Sequence, residues 1–110
     1  MKILHLVLTY KWWDFMVTGE KWKEYRKPTK YIERLILEKD GSFKKFDLVR
    51  FHRGYTNKYF EVAFEGIERA DAEHWISYGP QMPIITIDEG DYIIGIDFAA
   101  HFEIVEEFNA

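Results

Sequence analysis

Strand-like segments recur from one end of this chain to the other, each a few residues long and bounded by turn residues, and that rhythm restricts the fold more than any other feature. Ile3-Leu4-His5-Leu6-Val7-Leu8-Thr9 is a nearly continuous apolar run, the pattern of a buried strand at the centre of a sheet. His5 is expected to be a core or strand-face residue within it. Leu48 to Phe51 reads as another strand. Tyr59 to Phe64 alternates Phe60, Val62 and Phe64 with Glu61, Ala63 and Glu65, as a half-buried strand does. Tyr92 to Phe98 and His101 to Val105 supply two more, and Asp40-Gly41 and Gly54 to Lys58 mark turns. Three short helices are expected. Trp12 to Thr18 is amphipathic and stops at Gly19; Pro28 to Ile36 places Tyr31, Ile32, Leu35 and Ile36 on one side; Asp71 to Tyr78 carries His74 and Trp75 and leads into a Gly79 to Pro83 loop. The expected fold class is α+β, a small and mostly antiparallel β-barrel or curved sheet with flanking short helices.

A chain of 110 residues makes a single domain, 1–110, with no repeat or linker in it. The aromatic share of 18% with only three prolines argues for a packed core over disorder. The absence of cysteine excludes disulfides, thiolate catalysis and sulfur-ligated zinc. His5, His52, His74 and His101 have no metal-ligand spacing, and Asp88-Glu89-Gly90-Asp91 alone makes no calcium loop, so no metal is expected. Nor does the chain carry a G-x-S-x-G elbow, a phosphate-binding glycine loop or a dinucleotide fingerprint, so no cofactor is expected. No apolar run approaches 18 residues and the N-terminal apolar stretch is too short for a secretory signal; a soluble cytoplasmic protein without membrane contact is the expectation.

Charge is divided along the chain. Residues 1–60 hold 14 Lys/Arg against 7 Asp/Glu, or +7, whereas residues 61–110 hold one against 12, or -11. Within the basic half, residues 21–34 concentrate +4 through Lys21, Lys23, Arg26, Lys27, Lys30 and Arg34 against Glu24 and Glu33. Such a patch can receive a phosphate or a short stretch of backbone, but the acidic half would repel a long polyanion. A footprint of one or a few nucleotides follows.

That patch contains the chain's most specific string, Gly19-Glu20-Lys21-Trp22-Lys23-Glu24-Tyr25-Arg26, a G-x-K-x-x-E-x-R arrangement. At average residue usage four fixed positions match by chance in roughly one such chain in a thousand. Gly19 supplies the left-handed turn after a helix. If Trp22 to Lys27 is extended, Glu24 and Arg26 share one face, Lys23 and Tyr25 the other, and Lys21 sits at the turn. Lys21 can hold a phosphate or, desolvated, act as base or nucleophile; Glu24 can accept from an exocyclic amine or orient Lys21; Arg26 can pair with Glu24 or fork onto phosphate. Trp12, Trp13, Trp22 and Tyr25 cluster nearby, and an aromatic face beside a cation suits base stacking, with Tyr25 first and Trp12 or Trp13 next. Arg50, His52 and Arg53, near a strand end, are candidates to line the cleft opposite.

The octet and its setting resemble the ASCH domain, a small PUA-like barrel whose hallmark is the same G-x-K-x-x-E-x-R. The order of strand, helix, octet, Pro-containing excursion after Arg26, Asp47-Leu48-Val49-Arg50-Phe51 and Tyr59-Phe60-Glu61-Val62-Ala63-Phe64 is similar to the family layout across most of the chain. The resemblance implies a PUA-like barrel over 1–110 and a ligand drawn from RNA, nucleotides or modified nucleosides. In a binding module Lys21 and Arg26 would hold phosphate or sugar oxygens while Glu24 reads a base edge. A few members resemble amidohydrolases that deacylate acetylcytidine, in which the motif lysine activates water or is the nucleophile; there Lys21 and Glu24 would be catalytic, although those enzymes carry threonine where this chain has Glu24. A third reading is RNA cleavage, with Lys21 stabilising the phosphorane and Glu24 or a histidine exchanging protons.

Overall fold

The computed structural model describes residues 1–108. In chain order the elements are β1 (Ile3–Leu8), α1 (Tyr10–Met16), β2 (Lys23–Arg26), α2 (Lys30–Ile36), β3 (Leu48–Arg53), β4 (Lys58–Arg69), β5 (His74–Ile76), β6 (Ile85–Ile87) and β7 (Tyr92–Glu106). Five strands form one sheet in the order β1-β3-β4-β7-β2, and β5 pairs with β6 in a separate ribbon. β1 runs parallel to β3; every other neighbouring pair is antiparallel. The class is α+β, with the large sheet curled into a half-barrel. It is not a closed barrel, because β1 and β2 end the sheet as two free edges.

The curl comes from the long pair β4 and β7. Val62 lies opposite Phe102 while the next residue, Ala63, lies opposite Asp97, so residues 98–101 form an unpaired bulge. Asp97 Oδ1 accepts from the N–H groups of Ala99 and Ala100 at 2.9 and 3.3 Å and closes that corner. A second irregularity falls between Phe64 and Gly66. Bulges bend a strand and increase its twist. The two strands expected over Tyr92 to Phe98 and His101 to Val105 are therefore the two arms of one bent strand.

The inner face is filled by Leu4, Leu6 and Leu8 of β1, Phe51 and Phe60 of β3 and β4, and Ile94 and Ile96 of β7, and is covered by Trp13 and Met16 of α1 and Ile32 and Ile36 of α2. A smaller cluster joins Ala70, Ile87 and Ile93 to Tyr25, Ile76 and Ile85, and fastens the β5–β6 ribbon beside β2.

Three expectations are corrected. The apolar run at the N-terminus is an edge strand, not a central one; its leucines face the core while His5 and Val7 face out, so only one side is buried. Asp71 to Tyr78 is not helical, because His74-Trp75-Ile76 pairs with Ile85 to Ile87, and a helix of eight residues or fewer has little stability of its own. Tyr31 leaves the buried side of α2, since the helix docks on Ile32 and Ile36 and Tyr31 lies about 100° round from Ile32. No helix is long and apolar enough to cross a membrane among the described residues.

Candidate functional site

Gly19 ends the last turn of α1 with φ +84°, and its N–H donates to Met16 O at 3.0 Å. Only three residues separate this turn from β2, whose Glu24 lies opposite Ile94 of β7. The short connection carries Lys21 beneath the sheet edge rather than out to water: Lys21 is 2% exposed and Glu24 6%.

A buried lysine and glutamate are stable only when paired and fully hydrogen-bonded. Lys21 Nζ donates to Glu24 Oε1 and to Lys23 O, both at 2.7 Å. Glu24 Oε1 also accepts from the N–H of Tyr25 at 3.2 Å, and Oε2 accepts from Arg26 Nε and Nη2 at 3.1 and 2.8 Å. Both carboxylate oxygens are thus doubly engaged. Burial opposes ionisation of Glu24, but Lys21 and Arg26, through charge and hydrogen bonds, outweigh it and hold the carboxyl below its usual range. Two cations share one carboxylate, so the trio carries a net +1. The carboxylate therefore orients the two cations, and no lone pair is left over to read a base edge or to take a proton from water.

Arg26 also reaches across the mouth of the half-barrel. Its Nη2 donates to Val7 O at 3.0 Å and joins the free edge of β2 to that of β1. Nη1 has no partner among the described residues. Beside this bridge lies a cleft of about 470 Å³, lined by Lys21, Glu24, Arg26 and Lys27, by the rings of Trp12 and Tyr25, and by Val7 to Thr9. The Lys21 ammonium is 5.8 Å from the Trp12 ring centre and 5.5 Å from that of Tyr25, within cation–π range. The Tyr25 phenol is pushed up to about 12 by burial, with Tyr78 and the carboxylates of Glu24 and Glu68 adding to the effect, so it remains a neutral donor.

The far wall is Pro83, Ile84 and Ile85, residues that the sequence pattern did not single out. Their signal was faint: an apolar run following the polar loop at Gly79. Among the described residues they are the acidic half's only contribution to the cleft lining, and none is charged. Acidic residues of 61–110 nevertheless stand next to the lining: Asp88 and the buried Asp91 both pair with Lys27, a cleft-lining cation.

Lys21, Glu24, Tyr25, Arg26 and Trp12 are brought together; Trp13, Arg50 and Arg53 are not. Trp13 lies one residue further round α1, in the core, with Nε1 donating to Phe51 O at 2.8 Å and its ring against Phe60. It cannot stack a ligand there. Arg53 forms a two-point pair with Asp14 at 2.8 and 3.0 Å and lies over the Tyr10 ring. Arg50 alternates with Val49 and Phe51 and so faces outward, opposite Glu61 at 3.5 Å and over Tyr59. On that same outer face, His52 Nε2 and His5 Nδ1 meet at 3.0 Å. Trp22 is exposed and away from the cleft lining. No three His, Cys, Asp or Glu side chains among the described residues are grouped so as to hold a metal ion.

No family model, curated protein or solved structure matches this chain.

Proposed function

We propose that this cleft binds a nucleotide or RNA-derived nucleoside, in the manner of an ASCH domain on a PUA-like half-barrel. One observation carries the reading: two cations, oriented by a single saturated carboxylate, line the same cleft as the Trp12 and Tyr25 rings. A flat base fits between aromatic and aliphatic walls, and a phosphate or sugar oxygen fits the unpartnered Nη1 of Arg26. The volume of about 470 Å³ lies within the usual range for small-ligand sites, about 300–1,000 Å³. Saturation of Glu24 favours binding over general-base chemistry, because a base needs a lone pair free for the incoming proton.

The test is titration of the protein with nucleoside monophosphates and acetylcytidine, followed by tryptophan fluorescence and calorimetry. Binding that Trp12→Ala weakens by about 1–3 kcal/mol, the usual worth of one stacked base, is the expected result. No binding at millimolar ligand would refute the proposal. Deacylation of acetylcytidine that Lys21→Arg abolishes with binding intact would replace it with the amidohydrolase reading, since a guanidinium cannot act as the amine nucleophile.

A further inference from the structure

The main chain of β1 has a free edge, and the cleft does not stop at Arg26. A second hollow of about 420 Å³ lies directly against the first, and the two share Val7, Leu8, Thr9 and Arg26. Its other side is made by Tyr31 of α2 and Tyr55 in the turn between β3 and β4, which are 67% and 97% exposed. Two large aromatic side chains left in water along one hollow make the kind of exposed patch that marks a binding surface.

Polar groups line its floor. Lys2 O and Leu8 O accept from the β3 side, from Asp47 and Gly54 at 2.8 Å each. Strand alternation then turns the main-chain groups of His5 and Val7 to the opposite, unpaired edge. Of these, Val7 O is taken by Arg26. The N–H groups of His5 and Val7 and the carbonyl of His5 have no partner among the described residues. No carboxylate lines this hollow, and the one lining the first is already saturated.

Resting on the nucleotide-binding reading above, we propose that the hollow lined by Tyr31 and Tyr55 is a second base subsite, so that the ligand is a single strand of at least two nucleotides. Arg26 stands at the junction, where its Nη1 meets the phosphate that joins them. The first base enters between Trp12 and Tyr25; the second stacks on Tyr31 or Tyr55 and meets the free edge of β1 with its polar groups. An added peptide strand suits this edge less well, because Arg26 already occupies the Val7 carbonyl that a continuous ladder needs.

The experiment compares adenosine monophosphate with the dinucleotide ApA, for wild type and for a Tyr31→Ala/Tyr55→Ala double variant. Both tyrosines are exposed, so the variant folds; circular dichroism checks this. ApA should bind wild type about 5- to 150-fold more tightly than the monophosphate, the stacking worth of one base. In the double variant that advantage should vanish while the monophosphate affinity stays unchanged. Equal affinities in wild type, or an advantage that survives in the variant, would overturn the second subsite and leave the first reading standing. Failure of both ligands to bind would overturn both.

Discussion

Replacing Glu24 with glutamine keeps the side chain's shape and removes its charge, and the geometry sets the cost. In Glu24→Gln the Lys21 ammonium stays buried with only uncharged acceptors, and the new amide must turn its NH₂ toward the donors of either Lys21 or Arg26. Breaking a buried pair by removing one partner costs about 3–5 kcal/mol. Arg26 is partly exposed and can turn to water, so its loss is small and the lower end applies, about 3 kcal/mol. A domain of this size is stable by about 5–15 kcal/mol in total, so the substitution removes roughly a fifth to more than half of it. Urea unfolding followed by tryptophan fluorescence should show the midpoint falling with an unchanged slope, and the melting temperature should drop by about 12 °C or more. Lys21→Met removes the other charge; because Glu24 keeps Arg26 and the Tyr25 N–H, it should cost less. The double variant buries neither charge and should be less unstable than the two singles summed, by about 1–3 kcal/mol. A loss below about 1 kcal/mol for Glu24→Gln, or additivity within about 0.5 kcal/mol, would refute the claim that this network is closed and mutually dependent.

Acid should act on the same carboxylate: its folded value is lowered, so its contribution is complete above the ordinary glutamate range, about pH 4.3, and is lost as the pH falls through the lowered value. The acid-unfolding curve of Glu24→Gln should accordingly be shallower below about pH 4. On the outer face, burial lowers both His5 and His52 from the ordinary 6.5, with Arg50 adding to each and the His5 ring to His52, so the folded state binds fewer protons there than the unfolded chain. Stability should fall as the pH drops from about 6.5 toward 5, and His5→Gln should reduce that step in denaturant midpoints taken across the range, leaving the share of His52. The adjacent tryptophans should separate: Trp13→Ala loses core packing and a hydrogen bond and costs about 3–5 kcal/mol of stability, whereas Trp12→Ala acts chiefly on nucleotide affinity. For short single-stranded RNA, log affinity against log salt should have a slope of magnitude about 1 to 3, because the cleft reaches few phosphates; a slope near ten would refute the small footprint.

What the sequence by itself determined lies within short separations along the chain. The octet from Gly19 to Arg26 was legible because its geometry is local: a glycine takes the positive φ at a helix end, and period two puts Glu24 beside Arg26 whatever the rest of the molecule does. The turn at Asp40-Gly41 is of the same kind. Tertiary structure decided the rest. An apolar run such as Ile3 to Leu8 tells that a strand is buried, but its place at the edge depends on Leu48 to Arg53 pairing along one side and nothing along the other. The phase of α1 on the core, and not the composition of its tryptophan pair, sent Trp13 inward and left Trp12 to the cleft. Pro83 to Ile85 became a wall only because the β5–β6 ribbon packs beside β2, and Glu24 became an orienting group, not a reader of bases, only once burial brought four donors onto its two oxygens. The donors to Glu24 come from within the octet and tertiary structure supplies only their burial; for the other outcomes the partners lie tens of residues away in sequence, and no local pattern encodes which of them will meet.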